Sequence, residues 1–203
     1  MIGLIDYGMG NILSVYNALL FVGADVEICS STDQINKMDK LILPGVGAFS
    51  DCMKNLNSKN FIDSLNFKVI KEEVPILGIC LGMQVMASSS QEGGTHKGLN
   101  WFDAEVVPIH NNQKEMKILH VGWNSLNIQK ENKILKNIPA DADFYFIQAY
   151  HMKCNNSQEL IATSEYYNKI TSVINKKNIF GTQFHPEKSQ DHGMTILENF
   201  MDL

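Results

Sequence analysis

Pro75-Ile76-Leu77-Gly78-Ile79-Cys80-Leu81-Gly82-Met83-Gln84 is the stretch on which the reading of this chain turns. Pro75 to Ile79 is a short apolar run of the kind that forms a buried strand, Cys80 ends it, and Leu81 to Ser88 reads as a helix. Glycines two residues to either side of the cysteine suit a sharp strand-to-helix turn, because a missing side chain lets the backbone fold tightly and approach a ligand. A cysteine at such an elbow sits at a helix N-terminus, where partial positive charge favours the thiolate. The N–H groups that follow it can stabilise an oxyanion. A plainer role also fits, since a free cysteine is usually a small, buried packing residue.

Upstream of the elbow, strands and helices alternate. Ile2 to Ile5 reads as a strand, and Asp6-Tyr7-Gly8-Met9-Gly10-Asn11 as a turn in which Asn11 is a helix N-cap. Ile12, Val15, Tyr16, Leu19 and Leu20 then repeat at helical spacing until Gly23. A second strand over Asp25 to Cys29, a short helix around Thr32 to Met38 and a third strand over Lys40 to Leu43 follow. This order predicts an α/β fold with a central, mostly parallel sheet flanked by helices. Ligands on such sheets bind at the carboxyl ends of strands, and Cys80 is at such an end. The third strand runs into Pro44-Gly45-Val46-Gly47, which is either a tight turn or a backbone able to aim an N–H group at an oxyanion. Phe61 to Glu72 reads as a further helix leading back to the elbow.

The second half is richer in strands, expected over Ala104 to Ile109, Ile118 to Val121, Phe144 to Tyr150, Leu160 to Ser164, Thr171 to Asn175 and Ile179 to Phe184. Gln91 to Gly98 is a polar, glycine-rich loop without the Gly-Lys-Ser/Thr ending of a phosphate-binding loop. The last expected strand ends in His185-Pro186-Glu187-Lys188-Ser189. In an extended stretch His185 and Glu187 point the same way, so the imidazole can serve a thiol as base while the carboxylate fixes its tautomer. Met194 to Leu203 closes the chain as a helix.

Composition narrows the classes. The 203 residues are read as one domain, 1–203, with 44% hydrophobic and 19% charged residues. A net charge of −5 argues against nucleic acid as the main partner. Cys29, Cys52, Cys80 and Cys154 form no CxxC pair, and no histidine has metal-ligand spacing, so neither a metal nor a disulfide framework is expected. Cys29, Cys52 and Cys154 read as inert, His110 and His192 as surface groups, and His120 and His151 as strand residues satisfied by neighbours. The start carries an early acid and no basic region, and no apolar run approaches the ~20 residues of a membrane span. The expectation is a soluble, cytoplasmic protein with no membrane contact.

Three motifs agree in order and placement: Pro44-Gly45-Val46-Gly47, Gly78 to Gln84, and His185 to Ser189. On these the chain resembles the class I, triad-type glutamine amidotransferases. With Ile5 to Asn11, Glu92 to Leu99 and Gly122-Trp123-Asn124, it is similar within them to the glutaminase subunits of imidazole glycerol phosphate synthase. The resemblance spans the first residues to the last helix. It implies Cys80 as nucleophile toward the side-chain amide of glutamine, His185 as base and then acid, and Glu187 as its orienter. It places Gly45, Val46, Gly47 and Leu81 at the oxyanion, and Gln84, Gln148, Ala149 and Tyr150 beside the substrate. No cofactor is implied. The partner would be a (β/α)₈ cyclase subunit in a heterodimer, with Asn11, Trp123, Tyr145 and Lys188 at or near the contact.

The chain departs from the pattern at two places. Gln148-Ala149 stands where the family usually carries His-Ser, and Leu119 stands where a proline is common. The first departure motivates an alternative, a paralogue that feeds ammonia to a barrel-like partner for amidination of a surface sugar. A non-catalytic scaffold subunit is the alternative of another class, and the intact Cys80, His185 and Glu187 argue against it.

Overall fold

The structure is a computed structural model that describes residues 1–111 and 116–203. β1 (Ile2–Ile5) is buried along its whole length and leads through a glycine turn into α1 (Ile12–Phe21). Asn11 precedes α1, but its side chain accepts from Ser14 Oγ at 2.8 Å and caps no backbone N–H. β2 (Val26–Cys29) and α2 (Thr32–Ile35) follow, the latter opened by a Ser31–Gln34 capping box. Next come β3 (Lys40–Gly45), α3 (Phe49–Ser58), α4 (Phe61–Asn66) and β4 (Ile76–Cys80). The helix expected over Phe61 to Glu72 is α-helical only to Asn66, and Phe67–Lys71 continue it as a π turn.

The helix expected from Leu81 to Ser88 is a single turn, α5 (Leu81–Gln84). Ser88, Ser89 and Ser90 offer a helix no apolar face and compete for its backbone groups. They form β5 (Ala87–Ser90) instead, which pairs with β6 (His96–Lys97) and β7 (Phe102–Pro108). The glycine-rich loop therefore carries a short strand of its own. Beyond it lie β8 (His110–Asn111), β9 (Met116–Lys117), β10 (His120–Ser125) and β11 (Asn127–Ile128). The strand expected over Phe144 to Tyr150 is two strands. β12 (Asp143–Gln148) pairs with β10, β13 (Tyr150–Cys154) pairs with β7, and Ala149 is the break between them. β14 (Leu160–Tyr166), β15 (Asn168–Lys176), β16 (Ile179–Thr182) and α6 (Gln190–Met201) complete the chain.

The main sheet has the order β11-β14-β15-β16-β4-β3-β1-β2. β16, β4, β3, β1 and β2 run parallel, and the antiparallel β11, β14 and β15 extend the same sheet. A four-stranded sheet, β13-β7-β5-β6, and the β10–β12 ribbon stand beside it. Alternation along β3 and β4 sends side chains to two cores. Leu41, Leu43 and Ile76 meet Phe49, Cys52 and Leu65 of α3 and α4. Ile42, Leu77 and Ile79 meet Val15 and Leu19 of α1 and Leu197 and Phe200 of α6. Each such fully buried side chain contributes about 1.5–3 kcal/mol by leaving water. β4 lies between β3 and β16, so its carboxyl end at Cys80 is held from both sides. Among the described residues no helix is long and apolar enough to cross a membrane.

Candidate active site

Cys80 faces Gly45 across the β3–β4 pairing and takes φ 55° and ψ −109°. A side chain at positive φ is strained by about 1–3 kcal/mol, and it persists only where the surroundings over-determine it. Those surroundings are tight. A Cβ on Gly82 would stand 1.8 Å from the Leu43 carbonyl oxygen, and one on Gly78 would stand 2.7 Å from the Met83 nitrogen. The elbow is therefore a glycine-to-backbone contact that no larger residue permits. Because α5 is one turn long, few aligned peptides stand behind the sulfur, and the dipole expected of a longer helix is small. Side chains surround the sulfur instead. Cys80 Sγ lies 3.9 Å from the Ile147 carbonyl oxygen and accepts from Gln183 Nε2 at 3.6 Å.

His185 and Glu187 come together as expected, in a different local form. β16 ends at Thr182, and Pro186–Lys188 form a 3₁₀ turn with His185 as its N-cap, where an extended stretch was expected. The turn brings His185 Nδ1 to 2.8 Å from Glu187 Oε1, with both side chains buried. The His185 amide donates to the Tyr145 carbonyl at 2.9 Å and Ser189 Oγ donates to the His185 carbonyl at 2.7 Å, which fixes the ring's stem. Burial opposes charge on the imidazole, but the contacts with Cys80 and Glu187 outweigh it and push the His185 pKa up to about 10. Nε2, the nitrogen that Glu187 leaves over, is buried and makes no aligned hydrogen bond among the described residues. It is the nitrogen available to the thiol.

A cleft of about 240 Å³ opens beside the sulfur. Of the residues expected there, Val46, Gly47, Leu81, Gln84, Gln148, Ala149 and Tyr150 line it, together with Cys80. Gly45 does not; it lies behind them, where a Cβ would meet the Tyr7 hydroxyl at 2.7 Å. Gly47 takes φ 103°, which leaves its peptide free to present an N–H. Gln84 Nε2 donates to the Tyr150 carbonyl at 2.9 Å and to Gln183 Oε1 at 3.1 Å. Gln148 turns its Nε2 toward His120 Nδ1 at 3.2 Å. The His120 ring is stacked between Phe146 and Tyr166, and burial lowers its pKa to about 4, so it is neutral. A larger hollow of about 610 Å³, lined by Phe67, Trp101 and Lys176, lies apart and holds none of the triad.

Three of the expected contact residues cluster. Trp123 meets Tyr145 edge-on at 5.9 Å, and Lys188 Nζ lies 5.8 Å from the Tyr145 ring centre. Asn11 immediately precedes α1, which packs beside the Pro186–Lys188 turn. Sequence reasoning missed Glu92, which lines the cleft and accepts the Phe49 amide at 2.8 Å. It also missed Gln183, fully buried against the sulfur. The available signal was a glutamine between Thr182 and Phe184 in an otherwise apolar run, because a buried glutamine needs partners. Among the described residues no cluster of histidine, cysteine, aspartate or glutamate could hold a metal ion.

A glycine-framed cysteine at the carboxyl end of a central parallel strand, with a buried histidine–carboxylate pair beside it, defines a triad-type amidotransferase site. The family described as class I glutamine amidotransferases matches residues 3–203, and the chain belongs to it. A Methanococcus maripaludis protein named imidazole glycerol phosphate synthase subunit HisH 2 is 44% identical over 201 residues, covering 99% of this chain and 98% of that one. A Campylobacter jejuni protein named imidazole glycerol phosphate synthase subunit HisH 1 is 43% identical over the whole of both chains. Among solved structures, PurLQS from Thermotoga maritima superposes with TM-score 0.78 at 13% identity, covering 99% of this chain and 97% of that one. A crystal structure described as a glutamine amidotransferase gives TM-score 0.74 at 17% identity, covering 98% of each chain. At those identities the structural likeness is one of fold.

Proposed function

We propose that residues 1–203 form one glutaminase domain, the glutamine-hydrolysing subunit of imidazole glycerol phosphate synthase. Cys80 attacks the side-chain amide carbonyl of glutamine. His185, oriented by Glu187, takes the thiol proton and gives it to the departing ammonia. N–H groups near Gly47 and Leu81 hold the oxyanion while the C–N bond breaks. Water, deprotonated by His185, then hydrolyses the thioester and releases glutamate. No step needs a cofactor. The ammonia passes to a (β/α)₈ cyclase subunit, which uses it to make imidazole glycerol phosphate and AICAR in histidine biosynthesis in the cytoplasm. The observation that carries the chemistry is the 2.8 Å His185–Glu187 contact held against Cys80 beside the cleft. The names of full-length relatives carry the choice of pathway. Trp123, Tyr145, Lys188 and Asn11 are assigned to the cyclase contact.

A second reading keeps the chemistry and changes the acceptor to a surface sugar. Gln148-Ala149 in place of His-Ser favours it. The test is glutamate release by the purified chain, alone and with a (β/α)₈ cyclase subunit from the same organism plus the phosphoribosyl formimino intermediate. Stimulation on the order of 10²-fold by that pair is the expected result. Glutamate release that the pair leaves unchanged would move the assignment to the second reading.

A further inference from the structure

The orientation of the amide nearest the nucleophile is decided by a chain of hydrogen bonds that starts from a group with no choice. A backbone carbonyl can only accept. Gln84 therefore turns its NH₂ to the Tyr150 carbonyl, 2.9 Å away, and the same nitrogen donates to the neighbouring amide of Gln183 at 3.1 Å. Gln183 must meet that donor with Oε1. Its own NH₂ is thereby pointed at Cys80 Sγ, 3.6 Å away. Flipping Gln183 would set two NH₂ groups against each other and aim a carbonyl oxygen at the sulfur. In a site with Gln183 fully buried and Gln84 nearly so, neither arrangement could borrow water.

We infer that Gln183 is a catalytic residue that stabilises the Cys80 thiolate by donating an N–H to it, held in that orientation by the Tyr150 carbonyl through Gln84. The inference rests on Cys80 being the nucleophile of the proposed glutaminase. It gives Gln84 a further duty. With its nitrogen engaged twice, only Gln84 Oε1 is left to meet a substrate, so Gln84 offers the cleft an acceptor. It also supplies what the one-turn α5 cannot. His185 receives the proton, and Gln183 holds the charge that the proton leaves behind. A hydrogen bond to an ionised sulfur is about twice as strong as one to a neutral group, so its contribution appears when the thiolate forms.

The test is the pH profile of Cys80 alkylation by iodoacetamide in the full chain, read by mass spectrometry of the Cys80 peptide so that the other three cysteines do not enter. Gln183→Met keeps the volume and removes the donor. Gln183→Glu keeps the shape and aims an oxygen at the sulfur. Both profiles should move to higher pH, with alkylation at neutral pH falling about tenfold for methionine, the weight of one hydrogen bond to a charged group, and further for glutamate. In glutamine hydrolysis kcat should fall in parallel, with KM nearly unchanged. An unshifted profile in either variant, with circular dichroism and melting temperature showing it folded, would overturn the assignment and leave Gln183 a packing residue. Alkylation needs no glutamine. A chain that alkylates as expected but releases no glutamate, alone or with the barrel subunit and its intermediate, would sink the proposed glutaminase and leave the thiolate contact standing.

Discussion

From Ile76 to Ala87 every residue is buried, and the backbone is packed so closely that two glycines could not carry a methyl group without striking the chain. Along the β10–β12 ribbon the pattern alternates: His120, Phe144, Phe146 and Gln148 face inward, while Val121 is 49%, Trp123 48% and Ile147 39% exposed. Leu119, just before the ribbon, is 57% exposed. The first region is closed by its own chain. The second presents a contiguous apolar edge, of the kind that marks a surface built for another protein. The two meet at the sulfur, where the Ile147 carbonyl on the ribbon lies 3.9 Å from Cys80 on the elbow. The contrast is one of packing: the proposed bond-making groups are locked in place, and the wall of their cleft belongs to the ribbon that carries the exposed apolar edge.

Cys80→Ala should cut deepest. Glutamate release should fall by at least about 10³-fold, while synthesis from free ammonia by the complex continues. If hydrolysis persisted in the purified variant, the elbow would be architecture only. Next is Gly82→Ala, whose added carbon would fall 1.8 Å from the Leu43 oxygen. Backbone must move to admit it, and a loss of about 3 kcal/mol is expected in urea denaturation. A loss under about 1 kcal/mol would show that the elbow relaxes, and the contrast with the ribbon would weaken. Trp123→Ala should do least to the fold. Stability of the isolated chain should change by no more than about 0.5 kcal/mol, while affinity for the barrel subunit drops about tenfold in a titration. Unchanged affinity would remove Trp123 from the contact.

Much of this was legible in the residues, for identifiable reasons. The elbow announces itself because its glycines are sterically obligatory, and the strand–helix alternation before it follows from period and punctuation. Cys80, His185 and Glu187 were readable as a set because thiol, base and orienter are chemically specific types. The length of α5 was not legible. Leu81 to Met86 is apolar enough for a longer helix, and only pairing with β6 and β7 draws Ala87–Ser90 into a strand. The 3₁₀ turn at Pro186 was hidden likewise, since an extended stretch and a tight turn both bring His185 near Glu187. Gln183 escaped because its role depends on a partner 103 positions earlier in the chain, a relation no local pattern encodes.

One consequence of the left-handed backbone at Cys80 concerns descent more than chemistry. Glycine adopts φ 55°, ψ −109° without a Cβ penalty, so at this position it would leave the folded chain under less strain than cysteine does. A lineage that had given up hydrolysis and kept the protein only to hold a partner would drift toward glycine there, with thermal stability as its reward. On the proposed mechanism, cysteine at residue 80 is what hydrolysis asks of the chain, held there at a cost in the stability of the fold.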